Sequence, residues 1–221
     1  TDSEALAART LDKRLAPTWI EQCYKDQQPA RYHKDAPAIP GLLIYSPPQP
    51  GHRYVIGLDP AEGNPTSDDS ALEVLDVLTG EEVACLAGKY QPSTIAAHAD
   101  AIGQWYHGAP ILCERNNHGH AVLLWLRDHA RCPTLNGLDG KPGWLSSSVG
   151  KVLLYNEVAD ALRNSELLIH DFGTMTQLQS IEGSTLKAPE GEHDDRADAF
   201  ALAVAGRVQA GRQRKQATSF Q

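Results

Sequence analysis

The rhythm of apolar and polar positions changes near residue 53. Before it, helical spacing is confined to two short stretches, Ala5 to Leu15 and Pro17 to Lys25. The segment that follows, "DQQPARYHKDAPAIPGLLIYSPPQPG" (26–51), is rich in Pro and has no period, so it reads as a linker or extended arm. From Arg53 the pattern becomes regular. "RYVIGLD" is a strand, and residues 70–90 are two strands around a Thr79–Gly80 turn, a hairpin. In 92–108 the apolar residues Ile95, Ala99, Ile102, Trp105 and Tyr106 recur at helical spacing, with Ser93 or Thr94 as the expected N-cap. "APILCE" (109–114) is a short strand. Residues 118–130 are helical, and a helix within 144–166 begins near Ser147 or Ser148. "LLIHD" (167–171) is a further short strand, and 193–211 an Ala-rich closing helix. A hairpin feeding alternating units predicts an α/β fold, a mixed β-sheet with helices on both faces.

Composition adds limits to this picture. The chain has 221 residues, 41% hydrophobic and 22% charged, which is globular in character and enough for one domain with a core. No apolar run reaches 18 residues, so no transmembrane helix is expected, and the charged N-terminus has no signal-peptide core. Four scattered cysteines without a CxxC pair argue against zinc and fit a reducing compartment. A net charge of −8 disfavours nucleic-acid binding unless the basic residues cluster on one face. The last residues, 211–221, are a basic polar tail expected to fray.

The candidate chemistry is carboxylate. Asp59 ends the first regular strand, Glu114 ends the strand after the first long helix, and Asp194 and Asp195 open the last helix with Asp198 one turn on. Strand ends converge on one edge of an open α/β sheet. Each acid alone has an ordinary explanation: a turn for Asp59, a surface ion pair for Glu114, a helix cap for the Asp pair. Their coincidence points instead to a divalent cation held by hard oxygen ligands, Mg²⁺ or Mn²⁺.

The ordered set "YVIGLDPAEG … SALEVLDV", "ILCERNNHG", "GWLSSSVGKVLLYNEVADAL" and "GEHDDRADAFALAVA" resembles the nuclease domain of tailed-phage terminase large subunits, a branch of the RNase H-like nucleases. The resemblance covers roughly residues 53 to 206. It implies an RNase H-like fold and a two-metal endonuclease (two Mg²⁺ or Mn²⁺ ions). Such an enzyme cuts double-stranded viral DNA during genome packaging with little sequence specificity and leaves 5′ phosphates. Asp59, Glu114 and Asp195 would be catalytic, and Asp59, Glu114, Asp194 and Asp195 metal ligands; the third acid is favoured as Asp195 with Asp194 beside it, and Asp198 matches less directly. Partners implied are double-stranded DNA, a terminase ATPase domain, the small terminase subunit and the portal, in the host cytoplasm and without a membrane. No GxxxxGK[ST] loop occurs, so these residues are not expected to include the ATPase domain. Residues 1–50 would be the link to it, 51–210 the nuclease domain and 211–221 the tail.

Around the acids, Lys151, Arg115 and Arg196 are candidate DNA contacts, and Asp69 and His193 candidates for supporting the metal from behind. Asn116, Asn117, His118 and His120 are expected on the rim beside Glu114. The Trp residues 105, 125 and 144 fit helix or core positions rather than a base-stacking platform. Two rivals stand beside this reading. One is an RNase H-like junction resolvase or recombinase. The other is a non-catalytic module docking on DNA or a portal, for which the Pro-rich arm would be the docking segment.

Overall fold

Residues 54–59 are buried from Tyr54 to Leu58 and half-open at Asp59, as a central strand requires. In the computed structural model, which describes residues 12–218, this strand (β2, Tyr54–Asp59) pairs antiparallel with β3 (Ser70–Asp76) and parallel with β5 (Ile111–Cys113). β3 continues antiparallel to β4 (Glu82–Gly88), and β4 pairs with a two-residue β1 (Leu43–Ile44). The sheet order is β1-β4-β3-β2-β5. The expected hairpin is present, closed by the Gly80 N–H donating to the Asp76 carbonyl.

Alternation along β2 sorts its side chains between two cores. Ile56 and Leu58 join Leu72, Val74 and the helices α2 (Pro92–Trp105) and α3 (Gly119–His129) on one face. Val55 joins Leu75, α1 (Pro17–Cys23), α4 (Ser148–Arg163), α5 (Phe172–Ser180) and α6 (Asp195–Thr218) on the other. Helices therefore cover both faces, as the pattern predicts. The run Ala197–Ala205 of α6 is buried throughout and seats against β2. Its closeness has one cause: a Cβ on Gly57 would stand 2.0 Å from the Ala199 carbonyl and 2.3 Å from the Ala203 nitrogen. Gly57 and Asp59 share the strand face that meets α6, so this contact brings the helix's first turn towards Asp59.

Several expectations need correction. The segment 26–51 is not a free arm: Leu42, Ile44 and Tyr45 are buried, and Ala30 and Ile44 exchange both backbone hydrogen bonds. "LLIHD" is not a strand of the sheet; Leu168 and Ile169 make single bridges to Glu81 and Tyr24, too few to propagate. The first long helix is not capped by Ser93 or Thr94. It starts at Pro92, whose fixed φ suits the first helical turn. Helix α5 has no counterpart in the sequence pattern. The tail does not fray directly after residue 210, because α6 continues to Thr218. Of the stretch Ala5 to Leu15, residues 5–11 lie outside the described residues, and Lys13 bridges Glu182 rather than forming a helix. Trp144 is buried and Trp105 and Trp125 pack against the core, as expected.

Candidate metal centre and cleft

Three elements deliver the acids to one place. Asp59 is the last residue of β2. Glu114 follows β5 directly, and its N–H donates to the Leu58 carbonyl at 2.8 Å, extending the parallel ladder by one step. The chain then turns sharply: Asn117 adopts a φ of 45°, and a Cβ on Gly119 would lie 1.9 Å from the Glu114 carbonyl. Only glycine permits α3 to begin so close to the strand end. Asp195 opens α6, where Gln177 of α5 caps the helix by accepting from the backbone N–H groups of Arg196 and Ala197.

A cleft of about 390 Å³ is lined by Asp59, Glu114, Asp194 and Asp195 together with Asp68 and Asp69. Asn117 and His118 complete its rim. Burial, then the neighbouring Glu114 and Asp198, push the Asp59 carboxyl well above the usual range, and it lies within hydrogen-bonding reach of Glu114. Asp195 is pushed up to about 6 by burial and by Asp68 and Asp194, against the Asp69 backbone N–H and His193. Acids held so far from their ordinary behaviour want a cation among them. His193 stands 3.8 Å from Asp195 and 3.7 Å from Asp68, mostly exposed. Asp69 pairs with Lys89 at 2.8 Å.

The basic candidates turn inward. Lys151 Nζ lies 2.6 Å from Asp198 Oδ2 and 3.9 Å from Asp194 Oδ2. Burial alone would lower the Lys151 pKa; Asp198 and Asp194 outweigh it and raise it. Tyr155 donates to the other Asp198 oxygen at 2.7 Å. Burial leads in pushing Asp198 up to about 6, and Lys151 opposes it. Arg115 makes a two-pronged pair with Asp139 at 3.2 and 2.6 Å. Arg196 points away from the cleft to Asp171, 3.1 Å away. Asn116 clamps the chain at Ser146 through both ends of its amide, and His120 is exposed outside the cleft lining.

The pattern left Asp198 at the margin and missed Tyr155. The spacing held a signal, since Lys151 and Tyr155 are four apart on one helix face, and Asp198 lies in the first turn of the last helix. Removing the lysine exposes the linkage. Lys151→Ala strands Asp198, so the folded state binds its proton more tightly than the unfolded chain does. Stability then falls as pH rises through the folded pKa. The expected loss is about 2–4 kcal/mol at pH 8, shrinking towards pH 5, read from thermal midpoints in chelator.

A second cleft of about 550 Å³ adjoins the first and shares Glu114, Asn117 and Asp194. It carries Lys151, Lys187 and the hydroxyls of Ser146–Ser148. Among the described residues, one compact set of ligating atoms, on Glu73, Glu82 and Cys85, lies apart from both clefts.

The fold matches solved structures. The large terminase nuclease from the thermophilic phage G20c, with bound magnesium, superposes with a TM-score of 0.72 at 20% identity, over 88% of this chain and 97% of that one. The large terminase nuclease domain of Thermus phage P74-26 gives 0.63 at 19% identity, over 85% and 92%. A large terminase subunit fragment from bacteriophage Sf6, with calcium, gives 0.55 at 13% identity, over 87% and 98%. No family model and no curated protein matches the sequence. The chain thus has the RNase H-like fold of large terminase nuclease domains.

Proposed function

We propose that this chain is a metal-dependent endonuclease cutting double-stranded DNA during viral genome packaging, as the nuclease part of a terminase large subunit. The observation that carries the reading is the convergence of Asp59, Glu114 and Asp195 from three elements on one cleft whose lining holds no lysine or arginine. The fold supports it, and so do the magnesium and calcium in two solved relatives.

Asp59, Glu114 and Asp195 would hold two Mg²⁺ or Mn²⁺ ions, with Asp194 at their edge. Bound there, divalent cations would supply the charge that offsets these acids, a lowered pKa for attacking water, and stabilisation of the leaving oxygen. The residues of the chain do the rest. Asp198 is already satisfied by Lys151 and Tyr155, which favours Asp195, with Asp194 beside it, over Asp198 as the third ligand. Lys151 sets the position of Asp198 and, with Lys187 and the serine hydroxyls, lines the adjoining cleft, which suits a phosphate backbone. Contacts of this kind carry no base readout, so cutting would be nearly independent of sequence. Arg115 and Arg196 are spoken for by Asp139 and Asp171 and would contribute little to DNA binding. Asp69 and His193 border Asp195 and would steady it.

Attachment to an ATPase domain before about residue 50, and work with a small subunit and portal in the host cytoplasm, belong to the same proposal. No helix among the described residues is long and apolar enough to cross a membrane. The test is incubation of the purified chain with supercoiled plasmid. Nicked and linear products are expected in Mn²⁺ or Mg²⁺ and none in EDTA. Equal cutting in EDTA would refute the metal mechanism, and metal binding without cutting would favour a docking module.

A further inference from the structure

On the α6 side of the sheet, away from the cleft, β3 and β4 bury two glutamates against each other. Glu73 and Cys85 are cross-strand neighbours. Glu82 reaches the same face through an irregularity: the register shifts beyond Val74, skipping Val83, and this bulge turns Glu82 towards Glu73 rather than to the opposite core. Glu73 and Glu82 are 1% and 0% exposed. One oxygen of each and the Cys85 sulfur lie within 4.8 Å of one another.

Most of the polar atoms there have partners. Glu82 Oε2 accepts the backbone N–H groups of His170 and Asp171, at 2.5 and 2.7 Å. Glu73 Oε1 accepts from the Thr174 hydroxyl at 2.7 Å. Asp171 accepts from Tyr45, Thr174 and Arg196. His170 faces Glu81 at 3.3 Å. Two atoms remain: Glu73 Oε2 and Glu82 Oε1 are buried without a hydrogen-bond partner. Two carboxylates cannot serve each other unless one carries a proton. A metal ion would also satisfy both, but the Arg196 guanidinium already stands 3.6 Å from Cys85, and its positive charge would repel one.

We propose that Glu73 and Glu82 hold a single proton between them, donated from Glu73 Oε2 to Glu82 Oε1, and that this pair positions the corner where α5 meets α6. Glu82 grips the N-terminus of α5, Glu73 grips Thr174 within it, and Gln177 and Asp171 of the same corner hold Arg196, the neighbour of Asp195. Burial raises both carboxyls: with Glu82 and Asp171 nearby it pushes Glu73 well above its usual range, whereas at Glu82 the hydrogen bond from Glu73 and the backbone N–H groups of Asp171 and His170 oppose the rise. Glu73 is therefore the neutral partner. This assignment goes beyond the nuclease reading and stands without it.

Infrared difference spectroscopy of the full chain in chelator tests it. A carboxylic-acid carbonyl component is expected in the wild type near neutral pH and lost in Glu73→Gln, whose amide can donate to Glu82 in place of the proton, while the component from the raised Asp59 carboxyl stays in both. Hydrogen exchange at residues 196–198 should stay slow in Glu73→Gln and speed by at least about tenfold in Glu73→Ala, which leaves Glu82 and Thr174 without that partner. Identical spectra, or equal exchange in both variants, would overturn the proposal. So would a metal ion that survives dialysis against chelator in the wild type and is lost in Glu73→Gln. Should the variants not fold, the band of Asp59→Asn, which lacks the other strongly raised carboxyl, followed from about pH 8 to pH 10 still decides, since Asp195 and Asp198 are then ionised and an ionised pair shows none. A chain that cuts no DNA leaves every one of these readouts intact.

Discussion

Asp59→Asn is expected to reduce plasmid cleavage by at least about a thousandfold while making the metal-free protein more stable. The first effect follows from charge. Asp59 is the acid shared by the strand end and by the approach of both Glu114 and α6, and an amide of the same shape holds a divalent cation poorly. The second follows from linkage. The folded state raises the Asp59 pKa through burial, Glu114 and Asp198, so at neutral pH it binds this proton more tightly than the unfolded chain does. Such a group costs stability above its unfolded pKa, and the cost grows as pH rises. Removing it should raise stability in EDTA by about 1–3 kcal/mol at pH 8, with the gain fading below about pH 4. Cleavage assays in Mn²⁺ and thermal melts in EDTA read the two effects separately. A variant that loses activity and stability together would show that Asp59 is structural.

Gly57→Ala is the second large effect, and it acts through backbone alone. The added methyl would lie 2.0 Å from the Ala199 carbonyl and 2.3 Å from the Ala203 nitrogen, and neither can move without moving α6. A loss of more than about 4 kcal/mol is expected by urea unfolding. The same substitution at Gly211, also in α6 but with nothing within 4 Å of the new atom, should stabilise by about 0.5–1 kcal/mol. Opposite signs for one chemical change would locate the effect in the contact between β2 and α6. A mild Gly57→Ala would mean that α6 seats less tightly than these distances require.

The acids and the strands that carry them were legible because both signals are local. "YVIGLD" is a short apolar run ended by a charge, and 54–59 is a buried strand whose last residue opens into the cleft. "HDDRADAFALAVA" is a helix start with an apolar body, and α6 begins at Asp195. What escaped depends on partners far along the chain. "FGTMTQLQS" has two Thr residues and few apolar positions, so α5 carries little helical pattern; its start is fixed by the Asp171 side chain, which accepts from Thr174, and by Glu82 on a distant strand. The Pro-rich stretch around Leu42 looked like a linker because a two-residue strand leaves no period, although the edge of β4 receives it. The arginines looked available because a sequence does not show which acid faces them. The Glu73–Glu82 pair was hidden by the bulge at Val83, since strict alternation would send Glu82 to the other face.

If the proposed ligands are right, their order along the chain bears on when the protein could become dangerous to nucleic acid. Asp59 and Glu114 lie on paired strands, whereas Asp195 arrives on the last described helix and must close the longest loop of the three. On that reading, a chain still emerging from the ribosome with only the first two acids would hold an incomplete set and would not cut. Helix α5 belongs to the same closure, because its Gln177 caps the first turn of α6. On the proposed nuclease reading, the helix that comes last in the chain would act as a safety catch during synthesis, arming the cleft only once the sheet beneath it has been built.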